Sequence, residues 1–90
     1  MKVIVHRLAA PYAFIKLVHN NEECVVNNPV MVEKDIKGDL FLTYESIVDI
    51  AEAIEMKWKI ANTGEQMSVA MKVLQAIREG WGVNDTRGEE

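Results

Sequence analysis

The stretch LFLTYESIVDIAEAIEMKW, residues 40–58, holds the change of pattern that decides the fold. Leu40, Phe41 and Leu42 form a short apolar run of the kind a strand needs. After Thr43 the apolar residues recur at helical spacing: Ile47, Ile50, Ala51, Ile54, Trp58 and Ala61 fall on one face. The Thr43 hydroxyl can accept from an orphan N–H of a first helical turn, and Glu45 suits the positive end of the helix dipole. The chain therefore divides at Thr43 into a β-rich part, 1–43, and a helical part, 44–83.

Toward the N-terminus, Lys2 to Leu8 reads as a strand with Val3 and Val5 on one face and Ile4, His6 and Leu8 on the other. Pro11 interrupts it, having no N–H for a ladder. Ala13 to Val18 is the second strand. His19-Asn20-Asn21-Glu22 is a turn signal, because asparagine tolerates left-handed backbone angles. Cys24 to Val26 returns as a third strand, ended by Asn27-Asn28-Pro29. Val30 to Glu33 and Leu40 to Thr43 are the fourth and fifth, joined by a hairpin loop over Asp35-Ile36-Lys37-Gly38-Asp39. Toward the C-terminus the first helix stops near Asn62. Thr63-Gly64-Glu65-Gln66 matches a capping box, a cap threonine with glutamine three residues on. It opens a second helix that runs to about Gly80, with Gly80 and Gly82 as terminators, and the short break makes an αα-hairpin. The expected fold is thus a single α+β domain over 1–83, an antiparallel meander of four to five short strands followed by the helix pair. The polar residues 84–90 read as a flexible tail.

Ninety residues hold one core, and a chain of this size buries only about 60–65% of its unfolded surface. Cys24 is the only cysteine, which excludes an internal disulfide and suits a reducing cytoplasm. MKVIVHRLA is too short and too interrupted for a signal peptide, and no run approaches the ~20 apolar residues of a membrane span. A net charge of −4 and a pI near 5.1 argue against DNA or RNA as partner. The remaining source of stability is a partner subunit. The helices point the same way. Met67, Ala70, Met71, Leu74, Ile77 and Trp81 make one apolar stripe of the second helix, and Val69, Val73 and Ala76 make another beside it. One sheet and one neighbouring helix could absorb some of this excess. The favoured reading is a homo-oligomer whose interface uses Val69, Val73 and Ala76 with Ala53, Met56 and Ile60 of the first helix.

Candidate chemistry is sparse. His6, His19 and Cys24 are the only nucleophile or soft-ligand types, with no oxyanion-hole motif and too few ligands for a metal cluster. Cys24 ahead of Val25-Val26 reads as a small buried hydrophobe. No catalytic residue, metal or cofactor is expected, and Gly64, Gly80, Gly82 and Gly88 form no phosphate loop. Glu45, Asp49 and Glu52 share the solvent side of the first helix, with Glu55 near its edge. The residues suited to a nucleotide-like anion are Arg7, Tyr12, Lys16, Lys57, Trp58 and Arg78: cations for phosphate and aromatics for a base. Trp58 is also suited to core packing, with its flanking lysines turned outward.

A short, acidic, motif-poor chain with a β-rich first half and a helical second half resembles, in general layout, small phage-encoded immune-evasion proteins of the anti-Thoeris type. That resemblance implies a non-enzymatic homo-oligomer that sequesters a small anionic nucleotide-like ligand without hydrolysing it and so antagonises a host defence pathway. The alternative is an inhibitor or adaptor that contacts a host protein through its acidic helix face or a sheet edge.

Overall fold

The computed structural model describes the backbone of residues 1–83 and the side chains of residues 1–79, so the segment 84–90, read above as a flexible tail, and the Trp81 side chain lie outside the described residues. The order is β1 (Lys2–Arg7), β2 (Tyr12–His19), β3 (Glu22–Val25), β4 (Val30–Lys34), β5 (Leu40–Leu42), α1 (Tyr44–Trp58) and α2 (Thr63–Val83). This is the expected α+β arrangement, an antiparallel five-stranded sheet followed by two helices.

Strand β2 organises the sheet. β1 pairs along one edge of it, from Lys2 opposite Val18 to Arg7 opposite Ala13. Its other edge is shared: β3 pairs with Lys16 to His19, and β4 with Tyr12 and Ala13. The pairing therefore departs from a simple meander, because β3 and β4 run in succession along β2 rather than beside one another. Pro29 and the two asparagines before it break the ladder between them. The β2–β3 turn has Asn20 and Asn21 both at positive φ, 54° and 65°, as a two-residue hairpin loop with right-handed strand twist requires. In the β4–β5 loop the Asp35 carboxylate accepts from the N–H groups of Lys37 and Asp39, each at 2.9 Å, and Gly38 takes φ +91°.

Alternation along β2 sets the layers. Ala13, Ile15 and Leu17 are 0% exposed and face the helices. Their cross-strand partners Val5, Cys24 and Val30 join them, as do Val26, Val32 and Leu42. Ile50, Ala53 and Ile54 of α1, and Val69, Ala70, Val73, Leu74 and Ile77 of α2, close the core from above. Both helices lie on this one face, a two-layer arrangement. Thr43 caps α1 as expected, its Oγ1 accepting from the Ser46 N–H at 3.2 Å. Buried Ser46 then ties the helix to β4: its hydroxyl accepts from the Met31 N–H at 2.7 Å and donates to the Met31 carbonyl. α1 ends with Lys59 in the left-handed region at φ 63°, somewhat before the expected Asn62.

Two expectations are corrected. The cap of α2 is Asn62, not Thr63: the Asn62 side-chain oxygen accepts from the Glu65 N–H at 3.1 Å, and its carbonyl accepts from the Gln66 N–H. The Gln66 side chain donates to the Ile60 carbonyl instead of reaching Thr63. α2 also continues through Gly80 to Val83. Second, the stripe assigned to a subunit interface is turned inward. Val69 and Val73 are buried, Ala53 is buried on α1, and Ala76 and Ile60 pack on the core. The reason is helical phase. At about 100° per residue, Val69, Val73, Ile77, Ala70 and Leu74 span an arc of roughly 140°, so the two stripes read from the sequence are one broad inner face. Among the described residues, the large apolar side chains left exposed on the helices are Met67 and Met71 on α2 and Tyr44 and Met56, the latter 73% exposed, on α1.

The cap assignment has a direct check by urea unfolding. Asn62→Ala should cost about 1 kcal/mol, as loss of an N-cap does, whereas Thr63→Ala should change stability by a few tenths of that at most. The reverse ranking would restore the capping box at Thr63.

Candidate functional site

The register brings cations to one end of the molecule. Arg7, the last residue of β1, sits opposite Ala13 and so lies on the helix side of the sheet. Lys34 closes β4 opposite Leu40. Arg78 reaches down from α2 and donates from Nη2 to the Leu40 carbonyl at 2.9 Å. The turn between β1 and β2 folds against the same place. The Tyr12 N–H donates to the Ala9 carbonyl, and the Pro11 carbonyl accepts from the Val32 N–H at 2.8 Å. The result is an open groove of about 450 Å³ lined by Arg7, Ala10, Pro11, Val32, Glu33, Lys34 and Leu40. Two cations and one carboxylate line it, and Arg78 stands at the Leu40 wall.

The six residues expected to bind a nucleotide-like anion do not converge; they separate into three places. Arg7 lines the groove with Leu40, and Arg78 donates to the Leu40 carbonyl. Tyr12 and Lys16, at even positions of β2, point to the face of the sheet away from the helices, where Lys16 Nζ is 3.6 Å from a Glu23 carboxylate oxygen. Lys57 and Trp58 end α1, against the β2–β3 hairpin. There the Trp58 indole N–H donates to Glu22 at 2.9 Å, and the His19 ring meets the indole edge-on at 5.7 Å. Trp58 packs partly on the core, so its polar edge and its ring are both engaged within the chain. Lys34 was missed by sequence reasoning. Its signal was the β4–β5 hairpin register, but the crossing of Arg78 to a residue 38 positions earlier has no local signature.

The nucleophile candidates are held apart. Cys24 is buried on the inner face and donates from Sγ to the Ala53 carbonyl at 3.4 Å, while His6 lies on the opposite face beside Phe14. Burial pushes the Cys24 thiol above its ordinary value of 9.0, and the Lys57 charge offsets this in part. A thiol kept protonated is a poor nucleophile. Among the described residues no group of three or more His, Cys, Asp or Glu side chains gathers as a metal site would require, and no helix is long and apolar enough to cross a membrane. On α1, Glu45, Glu52 and Glu55 are exposed, and Asp49 is half-buried. Glu52 and Glu55 line a shallow groove with Met56, Lys59 and Ala61. No family model matches the chain, and no curated protein or solved structure matches it to a significant degree.

The raised Cys24 value has a consequence for stability. As pH passes 9.0 the thiol of the unfolded chain ionises while the buried one stays protonated. That favours unfolding, so the contribution is present below 9.0 and is lost as pH rises toward the folded-state value. In urea titrations across this range Cys24→Ala should lose stability less steeply than the parent chain. Parallel slopes would show that the thiol titrates alike in both states.

Proposed function

We propose that this chain is a non-enzymatic binding protein that sequesters a small, phosphate-bearing, nucleotide-like anion in the Arg7–Lys34–Leu40 groove. The observation that carries this reading is the local inversion of charge. In a chain of net charge −4, two cations line one groove against a single carboxylate, with a third cation at its wall. A groove of about 450 Å³ falls in the size range of small-molecule sites. Guanidinium groups suit phosphate oxygens by geometry as well as charge. With the Tyr12 and Trp58 rings elsewhere, recognition rests on phosphate rather than on base stacking, so the ligand class is defined by its anionic groups.

Calorimetry with ADP-ribose and cyclic nucleotides as probes should show binding that weakens as salt is added. Each charge-assisted hydrogen bond contributes about 1.5–3 kcal/mol, so Arg7→Ala and Lys34→Ala should each weaken binding by about ten-fold or more. Lys16→Ala should leave it unchanged. Binding indifferent to Arg7 and Lys34 would sink the site.

A second reading, an inhibitor or adaptor that binds a host protein, draws on α1. Glu45, Glu52 and Glu55 stand exposed beside Tyr44, 80% exposed, and Met56, an acidic and apolar mixture suited to a basic partner. Charge reversal at Asp49 and Glu52 should then release a partner captured from host lysate while ligand binding in the groove persists.

A further inference from the structure

We propose, resting on the groove as a nucleotide site, that it reads the base of its ligand by the edge: the Val32 carbonyl accepts from the base and the Lys34 N–H donates to it. The β2–β4 ladder ends in a way that leaves both groups in the groove. Ala13 stands opposite Val30, so Pro11 comes opposite Val32. Antiparallel residues in such positions ordinarily exchange two hydrogen bonds. The Val32 N–H does donate to the Pro11 carbonyl, at 2.8 Å. The return bond to the Val32 carbonyl is missing, because the proline nitrogen carries no hydrogen. Val32 is 4% exposed, and a backbone carbonyl at so buried a residue is ordinarily paired. Beyond Val32 the β2 chain has turned away, with the Tyr12 N–H bonded to the Ala9 carbonyl. Among the described residues no strand pairs with this edge of β4 there.

The other edge of β4 belongs to β5 through odd-numbered residues. The Met31 carbonyl accepts from the Thr43 N–H, and the Asp35 N–H just past the strand donates to the Asp39 carbonyl. Alternate residues of a strand turn their backbone groups to opposite edges. The Lys34 N–H therefore points away from β5, as the Val32 N–H does, toward the groove that both residues line. An acceptor and a donor two residues apart on one strand edge are complementary to a planar base that carries a donor beside an acceptor. In adenine the 6-amino group donates to the Val32 carbonyl, and the ring nitrogen beside it accepts from the Lys34 N–H. Ala10, Pro11 and Leu40 supply apolar surface next to the ring. Edge pairing needs no aromatic platform, which suits a groove lined by neither Tyr12 nor Trp58. An extended peptide is the other ligand that pairs with a strand edge. The open edge runs only from Val32 to Lys34, about 10 Å at 3.3 Å per residue, and offers an added strand too few partners.

Calorimetry with probes that share one phosphate separates the base from the anion. The probes are AMP, purine riboside 5′-monophosphate, which lacks the 6-amino group, and ribose 5-phosphate, which lacks the base. AMP should bind about ten-fold or more tightly than ribose 5-phosphate, and the purine riboside monophosphate should lose several-fold of that gain, roughly as one hydrogen bond is worth. Equal binding by all the probes overturns the edge pairing and leaves the phosphate reading of the groove standing. No binding by any of them removes the nucleotide site, and the edge pairing with it. Substitution at Lys34 divides charge from backbone. Lys34→Ala keeps the N–H, so every affinity falls together and the preference for AMP over ribose 5-phosphate persists. Lys34→Pro removes the N–H too, at an edge where proline breaks no ladder bond, and the preference should shrink by about five-fold. A preference that survives Lys34→Pro in a chain of unchanged Tm overturns the proposal. Should the proline unfold the hairpin, the parent chain supplies its own readout by NMR. Exchange of the Lys34 amide hydrogen should slow at saturation with AMP and not with ribose 5-phosphate. Exchange slowed by both alike, or by neither, overturns the pairing.

Discussion

Everything in this molecule is registered on β2. Its odd residues Ala13, Ile15 and Leu17 admit no water, and both its edges carry partner strands. A strand buried on one face cannot slip by one residue without exchanging that face for the other. Once β2 is fixed, β1 is fixed by six opposed pairs, and β3 and β4 by their places along the remaining edge. The Ser46 hydroxyl then passes the constraint to the helices, because it holds both backbone groups of Met31 on β4 while Thr43 caps the same turn. An unpaired buried N–H at Met31 would cost about 1–3 kcal/mol, enough to hold the helix start against the sheet rather than beside it.

Local chemistry was the legible part of the sequence. The change of period at Thr43, the asparagine pair at 20–21 and the glycine of the 35–39 loop each act within a few residues, and each names its element without help from the rest of the chain. Errors arose where two local solutions compete. Asn62 and Thr63 are both good caps, and the choice between them depends on where α1 releases the chain, at Lys59 in its left-handed conformation. Likewise the break at Asn27-Asn28-Pro29 is visible, but whether β4 returns beside β3 or continues along β2 depends on the length of β2, whose eight residues leave room for both.

The candidate site was less legible for a related reason. A list of cations and aromatics does not say which face of a strand each occupies. Tyr12 and Arg7 are five positions apart, yet the turn through Pro11 places them on opposite sides of the sheet. Arg78 and Lys34 belong to different halves of the chain and come to the same end only because α2 runs over β5. Trp58, a plausible stacking platform by type, is used to fasten α1 to the β2–β3 hairpin through Glu22 and His19.

The excess of apolar residues illustrates the difference between amount and position. Composition puts 49% of the chain in the hydrophobic class, an ordinary share for a globular domain, and it is tempting to locate an exposed surplus on the helix with the broadest apolar face. A helix on a sheet, however, can turn a broad face inward, and α2 does so, absorbing Val69 and Val73 and leaving Met67 and Met71 as the exposed large apolar side chains among its described residues. A sheet has no such freedom. With period two, every second residue must face the other way, and with both helices on one side those residues have nothing from the described chain above them. The surplus therefore emerges on the open side of the sheet, through Phe14, Val25 and Phe41. Polar residues suited to a permanently solvated face would have occupied those alternate positions at no cost to the core. That aromatic and branched residues occupy them instead, beside the Lys16–Glu23 ion pair, is the feature that composition alone could not place.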